Sequence, residues 1–142
     1  MDNRDYVFVD SCILLDIFNA DESWGEWSAN TLHKLSDKYQ LVVNIIVFTE
    51  ISFNFTSSSK LKDTLELLNI DILDIPLDAA FNVSRTFKKY RKNKGDKKAP
   101  MPDFYIGEHA KALGAPLVTR DIARFKTYQP KLKLITPEKM KH

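Results

Sequence analysis

The sequence predicts an α/β fold, a mostly parallel sheet of four to five strands with helices on both faces, in one domain spanning residues 1–142. Three observations carry this expectation. Tyr6-Val7-Phe8-Val9 and Leu117-Val118-Thr119 are short, near-continuous apolar runs, the pattern of strands buried on both faces of a parallel sheet. The stretches between such runs place apolar residues at helical spacing, as Ile13, Leu14, Ile17 and Phe18 do. Strand and helix then alternate along the whole chain, and parallel neighbours need such crossovers to connect them.

In order, the first strand covers Tyr6 to Asp10 and feeds a helix over Ser11 to Phe18. A second helix covers Ser23 to Tyr39, with Trp24, Trp27, Thr31, Leu32 and Leu35 on one face. Ser23 caps it, and Glu26 three positions on completes a capping box. Leu41 to Val43 is the second strand; a nearly all-apolar helix from Ile45 to Phe55 follows and ends at Thr56-Ser57-Ser58-Ser59. A short helix from Lys60 to Leu68 leads to the third strand, Asp71 to Ile75, which Pro76 closes. Leu77 to Tyr90 is helical and runs into a lysine-rich loop that Pro100 and Pro102 end. Asp103 to Leu113 is helical with Gly114 as its C-cap, and Ala115 to Thr119 is strand four. Ile122 to Phe125 makes a helical turn, and Leu132 to Ile135 is strand five.

A composition of 44% hydrophobic and 28% charged residues is ordinary for a globular domain and needs no staples to form a core. No apolar run approaches the roughly 18 residues of a membrane span, and Met1-Asp2-Asn3-Arg4-Asp5 lacks the apolar core of a signal peptide. The single cysteine, Cys12, excludes an intramolecular disulfide framework and fits a reducing compartment, so the expected location is the cytoplasm.

Four acids stand where an apolar segment meets a turn. Asp10 follows strand one, at the sheet edge where open α/β folds bind ligands; it either holds a cation there or caps the next helix. Glu50 has Ile46, Val47, Phe53 and Asn54 as helical neighbours, so it either faces a pocket or makes a buried salt bridge. Asp103 begins a helix, where the macrodipole favours negative charge, and that helix must start near the same sheet edge. Asp121 lies just past strand four, a turn residue or a site residue, with Thr119 supplying a hydroxyl to hold water.

Four converging carboxylates would repel by several kcal/mol without a counter-ion, which argues for a bound metal. An all-oxygen set suits Mg²⁺ or Mn²⁺ rather than zinc, and His33, His109 and His142 are scattered, with His109 read as a helix-surface residue. The chemistry expected is metal-assisted hydrolysis of a phosphate ester. Asp10 and Asp103 are the principal ligands, Glu50 a ligand or general base, Asp121 a holder of a second ion, and Arg120 a brace for phosphate. The chain lacks GxxxxGK[ST], GxGxxG and paired CxxC motifs, which argues against nucleotide chemistry and structural zinc. A phospho-accepting receiver needs a lysine ending strand five, where Ile135-Thr136-Pro137 has none. A haloacid-dehalogenase-type phosphatase needs an aspartate two positions after the first, which here is Cys12, otherwise read as a small buried hydrophobe.

Val-Phe-Val-Asp10-Ser11-Cys-Ile-Leu-Leu, Glu50 in an apolar helix, Pro-Asp103-Phe-Tyr-Ile-Gly-Glu-His-Ala and Pro-Leu-Val-Thr119-Arg120-Asp121 together resemble the PIN domain, specifically the VapC-type toxin ribonucleases, from about Tyr6 to Pro137. The resemblance implies a three-layer α/β/α sandwich, a Mg²⁺ or Mn²⁺ pocket, endonucleolytic cleavage of RNA, a homodimer and a cognate antitoxin that blocks the site. Asp10, Glu50, Asp103 and Asp121 match the family's four acids and Thr119 its hydroxyl. Two departures are Gly107, where the family's helix usually has alanine, and a long lysine-rich loop before Asp103. The alternatives are a PIN-fold nuclease of RNA processing outside a toxin-antitoxin pair, or an inactive PIN-fold RNA-binding protein. Lys88 to Lys98 holds seven basic residues against Asp96 alone. It is either a solvated loop or an RNA-binding segment acting through Lys94, Lys97 and Lys98, with Tyr90 available for stacking on a base.

Overall fold

The computed structural model describes residues 4–93 and 101–142. Its elements are β1 (Tyr6–Val9), α1 (Ser11–Phe18), α2 (Gly25–Ser36), β2 (Gln40–Val43), α3 (Ile45–Ile51), α4 (Ser58–Leu67), β3 (Ile70–Ile72), α5 (Leu77–Lys92), α6 (Met101–Ala112), β4 (Leu117–Val118), α7 (Ile122–Lys126) and β5 (Leu134–Ile135). The strands form one sheet in the order β3-β2-β1-β4-β5, with every neighbouring pair parallel. Successive strand residues point to opposite faces, and Val7, Phe8 and Val9 are all fully buried, so helices cover both sides of the sheet centre. This is the expected three-layer α/β/α sandwich.

From β1 the chain builds outward through β2 and β3, then returns past β1 to add β4 and β5 on the other side. Phe8 is level with Val42 on one flank and Leu117 on the other. The carboxyl end of β1 is therefore the point where strand order reverses, the place where open α/β sheets bind ligands.

Local chemistry shifts several expected boundaries. Ser23 does not cap α2: Asp21 Oδ2 accepts from Ser23 N (3.1 Å) and Trp24 N (2.8 Å), and this turn delays the helix to Gly25. The α-helix from Ile45 ends at Ile51, and Ser52–Asn54 tightens into a 3₁₀ turn. β3 pairs one residue earlier than expected, Ile70 with Leu41, and is shorter. Gly114 has φ +66° after α6, the left-handed C-cap conformation that glycine adopts without strain.

Candidate active site

Asp10 lies at the centre, one residue beyond β1, and its backbone N still donates to Val118 O (3.1 Å) in the ladder to β4. It is fully buried. Oδ1 accepts from Ser11 N (2.8 Å), so Asp10 caps α1; Oδ2 accepts from Thr119 Oγ1 (2.7 Å), Cys12 Sγ (3.3 Å) and Arg124 Nη2 (2.5 Å). Cap and site are thus one residue's two oxygens. Thr119, also fully buried, fastens the next acid as well, because Oγ1 accepts from Asp121 N (3.0 Å).

Asp121 caps α7, its Oδ1 accepting from Arg124 N (3.3 Å). That places Arg124 one helical turn further on, at the spacing where side chains share a face. Its guanidinium reaches three acids: Asp10 Oδ2 (2.5 Å), Asp103 Oδ1 in the first turn of α6 (3.2 Å), and Asp121 Oδ2 (3.1 Å from Nε, without hydrogen-bond alignment). Burial opposes its charge, but the carboxylates of Asp10, Asp103 and Asp121 outweigh burial and raise its pKa. Asp103 carries a net burden despite this partner. Burial first, then the charges of Asp10, Glu50 and Asp121, push its carboxyl up to about 6, against the opposing pull of Arg124.

Glu50, on α3, is half-buried, and its Oε1 is buried without a hydrogen-bond partner. No ion pair to it forms among the described residues, so the salt-bridge reading of Glu50 is not realised there. Burial raises its pKa, the charge of Asp10 adds to this, and a Ser11 hydrogen bond and Arg124 oppose it. Cys12, expected to be a small buried hydrophobe, is only partly buried; its thiol donates to Asp10, and burial beside that carboxylate pushes its pKa up to about 12.

The structure therefore brings Asp10, Asp103, Asp121 and Thr119 together, with Glu50 electrostatically coupled to Asp10 and Asp103. Other expectations fall elsewhere. Arg120 turns away from the acids and grips Asp16 with two bonds (2.6 and 2.8 Å) over the Trp24 ring, so it is committed before any phosphate arrives. Tyr90 is buried against Phe87, Phe104 and Tyr128 rather than offered to a base. His109 is fully buried, edge-on to Phe8, with Asn44 Nδ2 3.1 Å from Nδ1; the helix-surface reading was wrong because α5 and the sheet enclose α6. Lys94, Lys97 and Lys98 lie outside the described residues.

Hard carboxylate oxygens, three of them already converging on one cation and a fourth buried without a partner, fit a divalent ion by chemistry. Spacing is another matter. Among the described residues no three acidic, histidine or cysteine side chains are close enough to enclose a metal as they stand.

A family model of the PIN domain matches residues 7–129. The chain belongs to the PIN domain family. No curated protein matches this PIN domain in sequence. Solved structures similar to it include VapBC2 from Rickettsia felis bound to a promoter DNA fragment (TM-score 0.71, 20% identity, covering 92% of this chain and 98% of that one). VapBC-1 from nontypeable Haemophilus influenzae (0.70, 18%, 92% and 97%) and FitAcB from Neisseria gonorrhoeae (0.67, 18%, 94% and 99%) are similar in the same way.

Sequence reasoning missed Arg124 in this PIN domain, although its place three residues after Asp121 was a usable signal. It also missed buried Asp16, which accepts from Arg120 and from Ser28 Oγ (2.8 Å), and Asn44, which caps α3 and meets His109.

Proposed function

We propose that this PIN domain is a metal-dependent endoribonuclease, the toxin of a toxin-antitoxin pair, acting as a homodimer that a cognate antitoxin restrains. The observation that carries the reading is the convergence of Asp10, Asp103 and Asp121, from three separate elements, on a single cation position at the switch point of the sheet. A similar fold occurs in a structure from Klebsiella pneumoniae described as a toxin-antitoxin complex, which supports the partner class.

Asp10 and Asp103 would hold Mg²⁺ or Mn²⁺, with Asp121 and Glu50 completing the oxygen set. A bound divalent ion supplies charge neutralisation at the scissile phosphate and lowers the pKa of water. Thr119 keeps Asp10 in one orientation by donating to Oδ2, and Ser11 N holds the other oxygen. Glu50, desolvated and with a raised pKa, is suited to take the proton from the attacking water. Water would then displace the 3′-oxygen from phosphorus, and that oxygen would take a proton from solvent, leaving a 5′-phosphate and a 3′-hydroxyl. RNA binding is supported by a cavity of about 300 Å³ beside the basic end of α5, walled by Arg85, Lys89, Lys111 and Lys131.

Structured RNA digested with Mg²⁺ or Mn²⁺, and again in chelator, tests the proposal by mass spectrometry of the ends. Expected are 5′-phosphate products that vanish in chelator. Cyclic 2′,3′-phosphates, or undiminished cleavage in chelator, would refute the carboxylate mechanism.

A further inference from the structure

We infer that Arg124 is a built-in competitor for the metal position, so that binding of the divalent ion and withdrawal of the guanidinium are one event; this rests on the metal reading above. Three of the four acids that would hold the ion are the three that Arg124 pairs with. Direct metal–oxygen bonds of about 2.1 Å would draw those carboxylates together, while a guanidinium set among them keeps them apart.

Asp10 Oδ2 makes the exclusion sharper. A carboxylate oxygen has two lone pairs, and this one already meets three donors, from Thr119, Cys12 and Arg124. A metal that bonds Oδ2 must displace one of them. Thr119 is fully buried and pinned through its backbone N to Ile135 O (3.0 Å), whereas the Arg124 side chain is 33% exposed and long enough to swing outward. Losing the weak Cys12 thiol bond would leave the guanidinium charge in place, so Arg124 is the donor that has to leave. In the metal-free protein it offsets the repulsion among the acids and so preserves their arrangement. Its departure imposes a threshold on metal affinity.

The test is calorimetric titration of Mn²⁺ into the whole protein without RNA, comparing wild type, Arg124→Gln and Arg124→Lys, with Asp10→Asn as the reference lacking a ligand. Removing the competitor should tighten Mn²⁺ binding about ten- to a hundredfold in Arg124→Gln, the range expected for displacing charge-assisted hydrogen bonds. Arg124→Lys, a point charge unable to span three carboxylates, should fall between. Metal-free Arg124→Gln should melt below wild type and recover in Mn²⁺. If Arg124→Gln does not fold without metal, the Arg124→Lys comparison decides alone. Equal or weaker Mn²⁺ binding by the variants would overturn the competition while leaving the metal site standing. Absence of binding in wild type and variants alike would overturn both.

Discussion

Replacing Asp103 with asparagine in the metal-free protein should raise stability at neutral pH and leave it unchanged in acid. The folded-state pKa of Asp103 is lifted from 3.8 to about 6, chiefly by burial and then by the neighbouring acids. Between those values the native state holds a proton that the unfolded chain has released, so the stability of wild type falls as pH rises through the window and stays lower above it. About two pKa units at 1.36 kcal/mol each give ~3 kcal/mol, and the partly open mouth of the site reduces this to ~1–3 kcal/mol. Asparagine has no charge to bury and escapes the penalty. Urea unfolding in chelator at about pH 4, 5, 6 and 7.5 measures the gap between the two proteins. It should open from near zero at about pH 4 to its full value at about pH 7.5. A variant less stable than wild type at neutral pH, or a gap independent of pH, would refute the idea that Asp103 is held in place at a cost.

Mn²⁺ at about 100 times its dissociation constant should stabilise wild type by ~2.7 kcal/mol, with a corresponding rise in melting temperature, and Asp10→Asn far less; an equal rise removes Asp10 from the site. Gly107→Ala should cost ~1–3 kcal/mol by chemical denaturation, because the added Cβ would lie 2.1 Å from Gln129 Oε1. That amide cannot easily move, since its Nε2 donates to Phe104 O (3.2 Å) and Glu108 Oε2 (2.8 Å). Changing Lys94, Lys97 and Lys98 to alanine should lower the slope of log RNA affinity against log salt by up to ~0.7 for each phosphate no longer neutralised, measured by fluorescence anisotropy. An unchanged slope would identify a solvated loop.

The layered fold was legible because β1 and β4 are buried on both faces, which leaves an unbroken apolar run in the sequence. Asp10, Asp103 and Asp121 could be placed because each follows a strand or begins a helix at one sheet edge, a consequence of parallel connectivity alone. Arg124 was hidden for the opposite reason: in sequence it is one arginine in a short polar turn, and only the meeting of α6, α7 and β1 gives it three partners. α6 misled through its surroundings. With α5 on one side and the sheet on the other, Ile106, Gly107, Glu108, His109 and Ala110 are all buried, so no amphipathic stripe tells inner from outer residues. Its polar members Glu108 and His109 find their partners in distant Asn44, Thr86 and Gln129, which no local pattern reveals.

The position of β4 bears on how the protein comes into being. β4 lies inside the sheet, between β1 and β5, although it is nearly the last strand in the chain. Asp10 therefore acquires its Thr119 and Arg124 partners across more than 100 residues of sequence. During synthesis from the N-terminus, every earlier strand and helix can emerge while the acids of β1 and α3 still lack the other half of their pocket. Under the proposed function, a ribosome would make a chain with no assembled cleavage site until α7 clears the exit tunnel. The late insertion of one two-residue strand would thus delay RNA cleavage until everything up to α7 has emerged, leaving an interval in which a partner could bind first.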